Sequence, residues 1–213
     1  MDLTLTHLGL ETFSIYYFCP SKNPAQGHLM SEQDSKMSDS QYPDWSKSHN
    51  GLMLCTFDET KELMPEVAPI INEIVPSIQY DISEYLIDVK VHMLMPEEYP
   101  CIPNWHCDFV PRDENKKKLR DKIKDDDMMY LWTSGAPYTE FKSYQDKIKT
   151  PTGKTWIVFN QRDVHRGVKS EIFTWRCFIR LIPKWFIHPK TLNVGTIRKH
   201  TQVYIENPDK FRW

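Results

Sequence analysis

Three short stretches of this 213-residue chain hold side chains whose types and spacing could do chemistry. In PNWHCDFVPRD, His106 and Asp108 stand two residues apart. Residues two apart on extended backbone project to one face, so an imidazole and a carboxylate can converge there on a single ion. Taken alone, such a pair is commonly just a structural hydrogen-bonded pair. In NQRDVHRGV, after an apolar strand and a turn, His165 opens what reads as the next strand. Two histidines and one carboxylate on adjoining strands hold a divalent metal and leave its opposite side open. After ten intervening residues comes Arg176, inside the apolar run TWRCFIRLIP. A guanidinium buried there without a partner is costly. Alternation puts Arg176, Phe178 and Arg180 on one face and Trp175, Cys177, Ile179 and Leu181 on the other. Two arginines on one side of a core strand call for an anion, and the planar guanidinium fork suits a dicarboxylate. An internal acid such as Asp88 is the competing partner.

The elements that must carry these residues read as strands. In EYLIDVKVHMLM, Ile87, Val89, Val91, Met93 and Met95 point one way, and Asp88, Lys90, His92 and Leu94 the other. MMYLWTS (128–134), KTWIVFN (154–160) and FTWRCFIRLIP (173–183) are three further strands. Alternation of this kind implies an antiparallel sandwich or barrel. Ahead of them, Leu63, Val67, Ile70, Ile71 and Ile74 recur at helical spacing, with Pro65 suited to a first turn and Pro69 expected to bend or restart the helix. That reads as a helix packed outside a sheet. The opening stretch to Phe18 is strand-like. Residues 19–50 are rich in Ser, Asn, Asp and Pro, and a loop that long is either disordered or a functional lid. The mixed-charge stretch 112–127 reads as a solvated excursion or a short surface helix.

Composition bounds the function. Forty per cent hydrophobic and 26% charged residues describe one ordinary folded domain of this length. A net charge of −2 offers no global footprint for nucleic acid and mildly disfavours it as a partner. Five cysteines without a C-x-x-C pair point to a reducing, cytoplasmic setting and not to a disulfide scaffold. The N-terminus has no basic region or cleavage site of a signal peptide, and no apolar run approaches the ~20 residues of a membrane span. Cys101 and Cys107 flank His106, yet structural zinc usually needs paired ligands from two segments, and only one cluster is present. His92 reads as a solvent-facing or structural histidine. Arg162 and Arg166 bracket His165 and read as solvated turn residues, with contact to an anionic substrate as the alternative. The C-terminal IRKHTQVYIENPDKFRW reads as a closing strand or tail.

The order His-x-Asp, 56 intervening residues, then His-x10-Arg resembles the 2-oxoglutarate and iron(II)-dependent dioxygenases, the prolyl-hydroxylase-like branch especially. YLWTSGAPYTEF and GKTWIVFNQRDVHRGV resemble that family's strands after the first motif and before the distal histidine, so the likeness spans roughly residues 85–183. The resemblance implies a mainly β fold with flanking helices, a double-stranded β-helix or jelly roll. It implies one domain over 1–213: an N-terminal support with helix and polar loop (1–80), a jelly-roll core (83–183) and a C-terminal extension (184–213). It implies that His106, Asp108 and His165 bind Fe(II), and that Arg176 holds the distal carboxylate of 2-oxoglutarate, with O2 as the other co-substrate. Hydroxylation of an unactivated C–H bond is then the expected outcome, with demethylation and desaturation as variants. Asp108 argues against halogenation, whose enzymes lack that carboxylate. Phe178 departs from the Ser that many relatives carry two residues beyond the arginine. A second contact to the co-substrate is therefore sought in Thr133, Tyr138 or Lys90, and Arg180 could exchange roles with Arg176. A non-catalytic jelly-roll binding protein and a cupin-like metal enzyme without 2-oxoglutarate are the competing functions. The substrate stays open among a small molecule, a protein side chain and a nucleobase.

Overall fold

The structure, a computed structural model, describes residues 31–34, 36–48, 51–142, 146–188 and 196–198. The strand expected before Phe18 lies outside these residues, as do the first part of the polar segment and the chain beyond 198. Ten strands are described: β1 (Ser31–Asp34), β2 (Gly51–Cys55), β3 (Tyr85–Leu94), β4 (Met129–Thr133), β5 (Thr139–Lys142), β6 (Ile148–Lys149), β7 (Thr155–Phe159), β8 (Val164–Gly167), β9 (Thr174–Pro183) and β10 (Thr196–Arg198). They form two antiparallel sheets, a large one ordered β1-β7-β4-β9-β3-β2-β10 and a small one ordered β6-β5-β8. The chain crosses between sheets from β4 to β5, from β6 to β7, from β7 to β8 and from β8 to β9. That winding is the jelly-roll class of mainly β fold.

The central pair is β3 with β9, in unbroken register from Tyr85 opposite Pro183 to Leu94 opposite Thr174. Period-two alternation makes the two faces of this pair chemically different. Ile87, Val89, Val91, Cys177, Ile179 and Leu181 enter the main core. The other face carries Asp88 opposite Arg180, Lys90 opposite Phe178 and His92 opposite Arg176. Met93 departs from the expected apolar face, being 46% exposed, because the buried run on that face of β3 ends at Val91.

Helices cover the main core from outside. α1 (Phe57–Leu63) begins with a capping box: Glu59 N–H donates to Thr56 Oγ1 at 3.2 Å, and Thr56 N–H donates to Glu59 Oε2 at 2.6 Å. Pro65 opens a one-turn 3₁₀ segment, Pro65–Val67, and Pro69 lies in the first turn of α2 (Ala68–Ile74). The single helical run read from spacing is thus two, because a proline supplies no N–H to the turn before it. Val67, Ile70, Ile71 and Ile74 are fully buried, while Leu63 stays exposed.

The described part of the polar segment carries the edge strand β1 and two 3₁₀ turns, Asp39–Gln41 and Trp45–Lys47, joined by irregular chain. β1 pairs with β7 at the edge of the large sheet. Tyr42 stacks on Trp132 at 5.6 Å, and Trp45 packs against the same ring at 6.2 Å. Trp45, Trp132 and Trp156 belong to the helix-side core. Residues 112–127 are mostly an exposed excursion with a 3₁₀ turn at Arg120–Lys122, anchored by buried Ile123 and Asp127. Among the described residues no helix is long and apolar enough to cross a membrane.

Candidate metal centre

The space between the two sheets is lined by Leu131, Phe159 and Phe178 of the large sheet and Phe141 of the small one. His165 projects into it from β8, where inward residues alternate with outward Val164 and Arg166. The chain at His106 forms a single antiparallel bridge with His165. Each backbone N–H donates to the other's carbonyl oxygen at 2.9 Å. Directly opposed residues of a hydrogen-bonded pair send their side chains to the same side. The two imidazole centroids accordingly lie 4.4 Å apart. Asp108, two residues on, returns to that side.

The three side chains meet. His106 Nε2 is 3.6 Å from Asp108 Oδ1, and His165 Nε2 is 3.4 Å from Asp108 Oδ2. One ligand atom from each lies within 4.8 Å of the others, the one such cluster among the described residues. The remaining ring nitrogens fix the tautomers. His106 Nδ1 is 2.7 Å from the Asn104 carbonyl oxygen and His165 Nδ1 is 3.1 Å from the Asp163 carbonyl oxygen. A carbonyl only accepts, so each Nδ1 carries the proton and each Nε2 lone pair faces the cluster. This donor set fits a divalent metal with one side open.

Electrostatics keep the donors in their binding forms. Burial, then the neighbouring His165, lowers the His106 pKa to about 4, so the ring is neutral near pH 7. Burial works to raise the Asp108 pKa, but Arg180 first and then His165 outweigh it and hold the carboxyl well below the usual range. Arg180 Nη1 donates to Asp108 Oδ2, and its Nη2 donates to Asp88 Oδ2 at 2.7 Å. Burial alone would lower its pKa; Asp108 and Asp88 reverse that and raise it.

A cavity of about 200 Å³ opens beside the cluster. Lys90, Cys101, Thr139, Phe178 and Arg180 line it together with His106, Asp108 and His165. Lys90 Nζ lies 5.2 Å from the centroid of the Phe178 ring. Arg176 sits deeper. It is fully buried, and none of its three guanidinium nitrogens has a hydrogen-bond partner among the described residues. Burial lowers its pKa from the ordinary arginine value. Thr133 and Tyr138 do not line the cavity, although Thr133 is buried opposite Phe178.

The other sequence candidates have plainer surroundings. Arg162 pairs with Asp125, and Arg166 pairs with Glu140 while lying 4.4 Å over the Trp105 ring. His92 is buried opposite Arg176. Cys107 Sγ points to the Arg162 carbonyl oxygen, and the four described cysteines are free thiols. Sequence reasoning had no route to Thr139, Pro100 or Ile102 as lining residues, since they carry no motif. Their place follows from the pairing of β5 with β8 and from the Gly167 N–H bond to the Ile102 carbonyl.

No protein-family profile matches the chain, and no curated protein matches it by sequence. Among solved structures it is similar to a prolyl-4-hydroxylase of Pseudomonas putida, with a TM-score of 0.32 and 8% identity. That likeness covers 71% of this chain and 93% of the other.

Proposed function

We propose that this chain is a non-haem iron(II) oxygenase that consumes 2-oxoglutarate and O2. The observation that carries the reading is the convergence of two Nε2 lone pairs and one carboxylate at the wall of a cavity, each imidazole oriented by a backbone carbonyl. His106, Asp108 and His165 would hold Fe(II), which with both co-substrates supplies oxidation of an unactivated C–H bond, with release of succinate and CO2.

The chain's own groups favour a dianion as co-substrate. Lys90, Arg176 and Arg180 outnumber Asp88 and Asp108 by one positive charge, and a divalent ion adds two more. Arg176 supports the same reading: its guanidinium nitrogens have no hydrogen-bond partner among the described residues, and an anion beside them would offset the cost of that burial. It would take the distal carboxylate of 2-oxoglutarate, with Lys90 as a second cation at the cavity wall. Phe159, Leu131 and Phe178 would exclude water from the reacting end. Hydroxylation is the default outcome, and the substrate class stays open among small molecule, protein side chain and nucleobase.

The Arg180–Asp108 contact favours a second reading, a jelly-roll binding protein in which a guanidinium already neutralises the carboxylate. Anaerobic addition of Fe(II) and 2-oxoglutarate to the purified protein separates the two. The oxygenase reading expects a visible metal-to-ligand charge-transfer band that His106→Ala abolishes and that needs more co-substrate in Arg176→Ala. Iron binding without a band would favour a metal enzyme of other chemistry, and absence of iron binding would favour the binding protein.

A further inference from the structure

Arg180 is built into the fold with more support than a passing ion pair requires. Cross-strand register places it directly opposite Asp88. Asp88 Oδ2 accepts from Arg180 Nη2 at 2.7 Å, and Asp88 Oδ1 accepts from the Leu54 N–H at 2.9 Å. That N–H is aimed by an irregularity in β2, where the register with β3 shifts between Leu52 and Cys55 and Leu54 takes φ +56°. A left-handed conformation at a leucine is costly and persists where its surroundings demand it. The guanidinium carbon itself lies 4.9 Å from the Phe109 ring centroid and 5.5 Å from that of Phe178. Two aromatic faces and one carboxylate thus fix the fork before it reaches Asp108.

We propose that Arg180 is a positioning residue for the metal centre: it holds Asp108 Oδ2, so that the carboxylate meets the metal through one oxygen and leaves a coordination position for the co-substrate. This rests on the iron-oxygenase reading and assigns to Arg180 a role distinct from gripping the co-substrate. A carboxylate without such a bond is free to chelate through both oxygens, as carboxylates do at larger or less constrained metal sites. Chelation would occupy a position that a bidentate 2-oxo acid needs. Asp88 does not line the cavity, so it acts on the site only through Arg180. Leu54, Asp88, Arg180 and Asp108 then form one line of support from β2 to the metal.

The test loads wild type, Arg180→Met, Arg180→Lys and Asp88→Asn with Mn(II). Calorimetry gives metal affinity, and water-proton relaxation gives the number of exchangeable metal-bound waters. Titration with 2-oxoglutarate follows on each loaded protein. At equal manganese occupancy, Arg180→Met is expected to show fewer exchangeable waters and to bind 2-oxoglutarate about tenfold more weakly. Asp88→Asn should move both readouts in the same direction although it cannot touch the ligand, and Arg180→Lys should restore part of the loss. Wild-type water counts in both Arg180→Met and Asp88→Asn would overturn the proposal while leaving the oxygenase reading intact. So would weaker co-substrate binding in Arg180→Met with no change in Asp88→Asn, since Arg180 would then be touching the ligand itself. A wild-type protein that takes no manganese would remove both.

Discussion

At the residue scale, the same position can be costly for stability and necessary for function. Arg176 is buried without a hydrogen-bond partner among the described residues, with its guanidinium carbon 5.8 Å from the Phe178 ring centroid. Replacing even a paired buried ion and its partner by apolar side chains of similar volume is often neutral or stabilising, by ~1–4 kcal/mol. Arg176→Met should therefore raise the ligand-free protein's stability to urea while weakening 2-oxoglutarate binding at least ~10-fold, the loss typical of a removed charge-assisted contact. Loss of stability together with unchanged co-substrate binding would mean that Arg176 has an internal partner. Asp108→Ala removes the one anionic donor of the cluster, and divalent-metal affinity should drop by about 100-fold or more in calorimetry. The variant also leaves Arg180 paired with Asp88 alone, so its fold should survive.

Elements explain why those residues meet, and here sequence and structure share the information unevenly. Alternation along β3 and β9 was legible because one face of each strand is apolar and the other is not. The pairing of Asp88 with Arg180 spans 92 residues, and it reaches the sequence only as one possible acid for a buried arginine. The carbonyls that fix the imidazole tautomers, from Asn104 and Asp163, carry no side-chain signal at all. Nor does the packing of residues 36–48, where polar composition conceals Tyr42 and Trp45 against Trp132. The helices support the large sheet from the face opposite the cavity. Thr56→Ala removes the cap of α1 and should cost about 1 kcal/mol in chemical denaturation without changing metal affinity. Ile70→Ala, which opens a void in the same layer, should cost about 2–5 kcal/mol. A change in metal affinity with either variant would mean that the helix layer and the site are coupled.

For the whole molecule, the metal centre ties stability to pH. The folded His106 pKa, lowered to about 4, lies below the ordinary value of 6.5, so between those limits the unfolded chain binds the additional proton. Stability of the metal-free protein should be fully present above pH 6.5 and fall as the pH drops towards 4, by on the order of 3 kcal/mol from this group. The depressed Asp108 pKa extends the loss further into acid. His106→Gln should flatten the upper part of that profile in urea midpoints measured across pH. A divalent metal binds the neutral imidazoles, so loading should move the acid limb to lower pH. The central claim is that His106, Asp108 and His165 together hold one metal ion, and the most direct measurement is anaerobic calorimetric titration of Fe(II) into wild type and His165→Ala. One ion per chain in the wild type, with affinity lost by about 100-fold or more in the variant, is the result expected. Absence of binding in the wild type, or equal binding in both proteins, would contradict it.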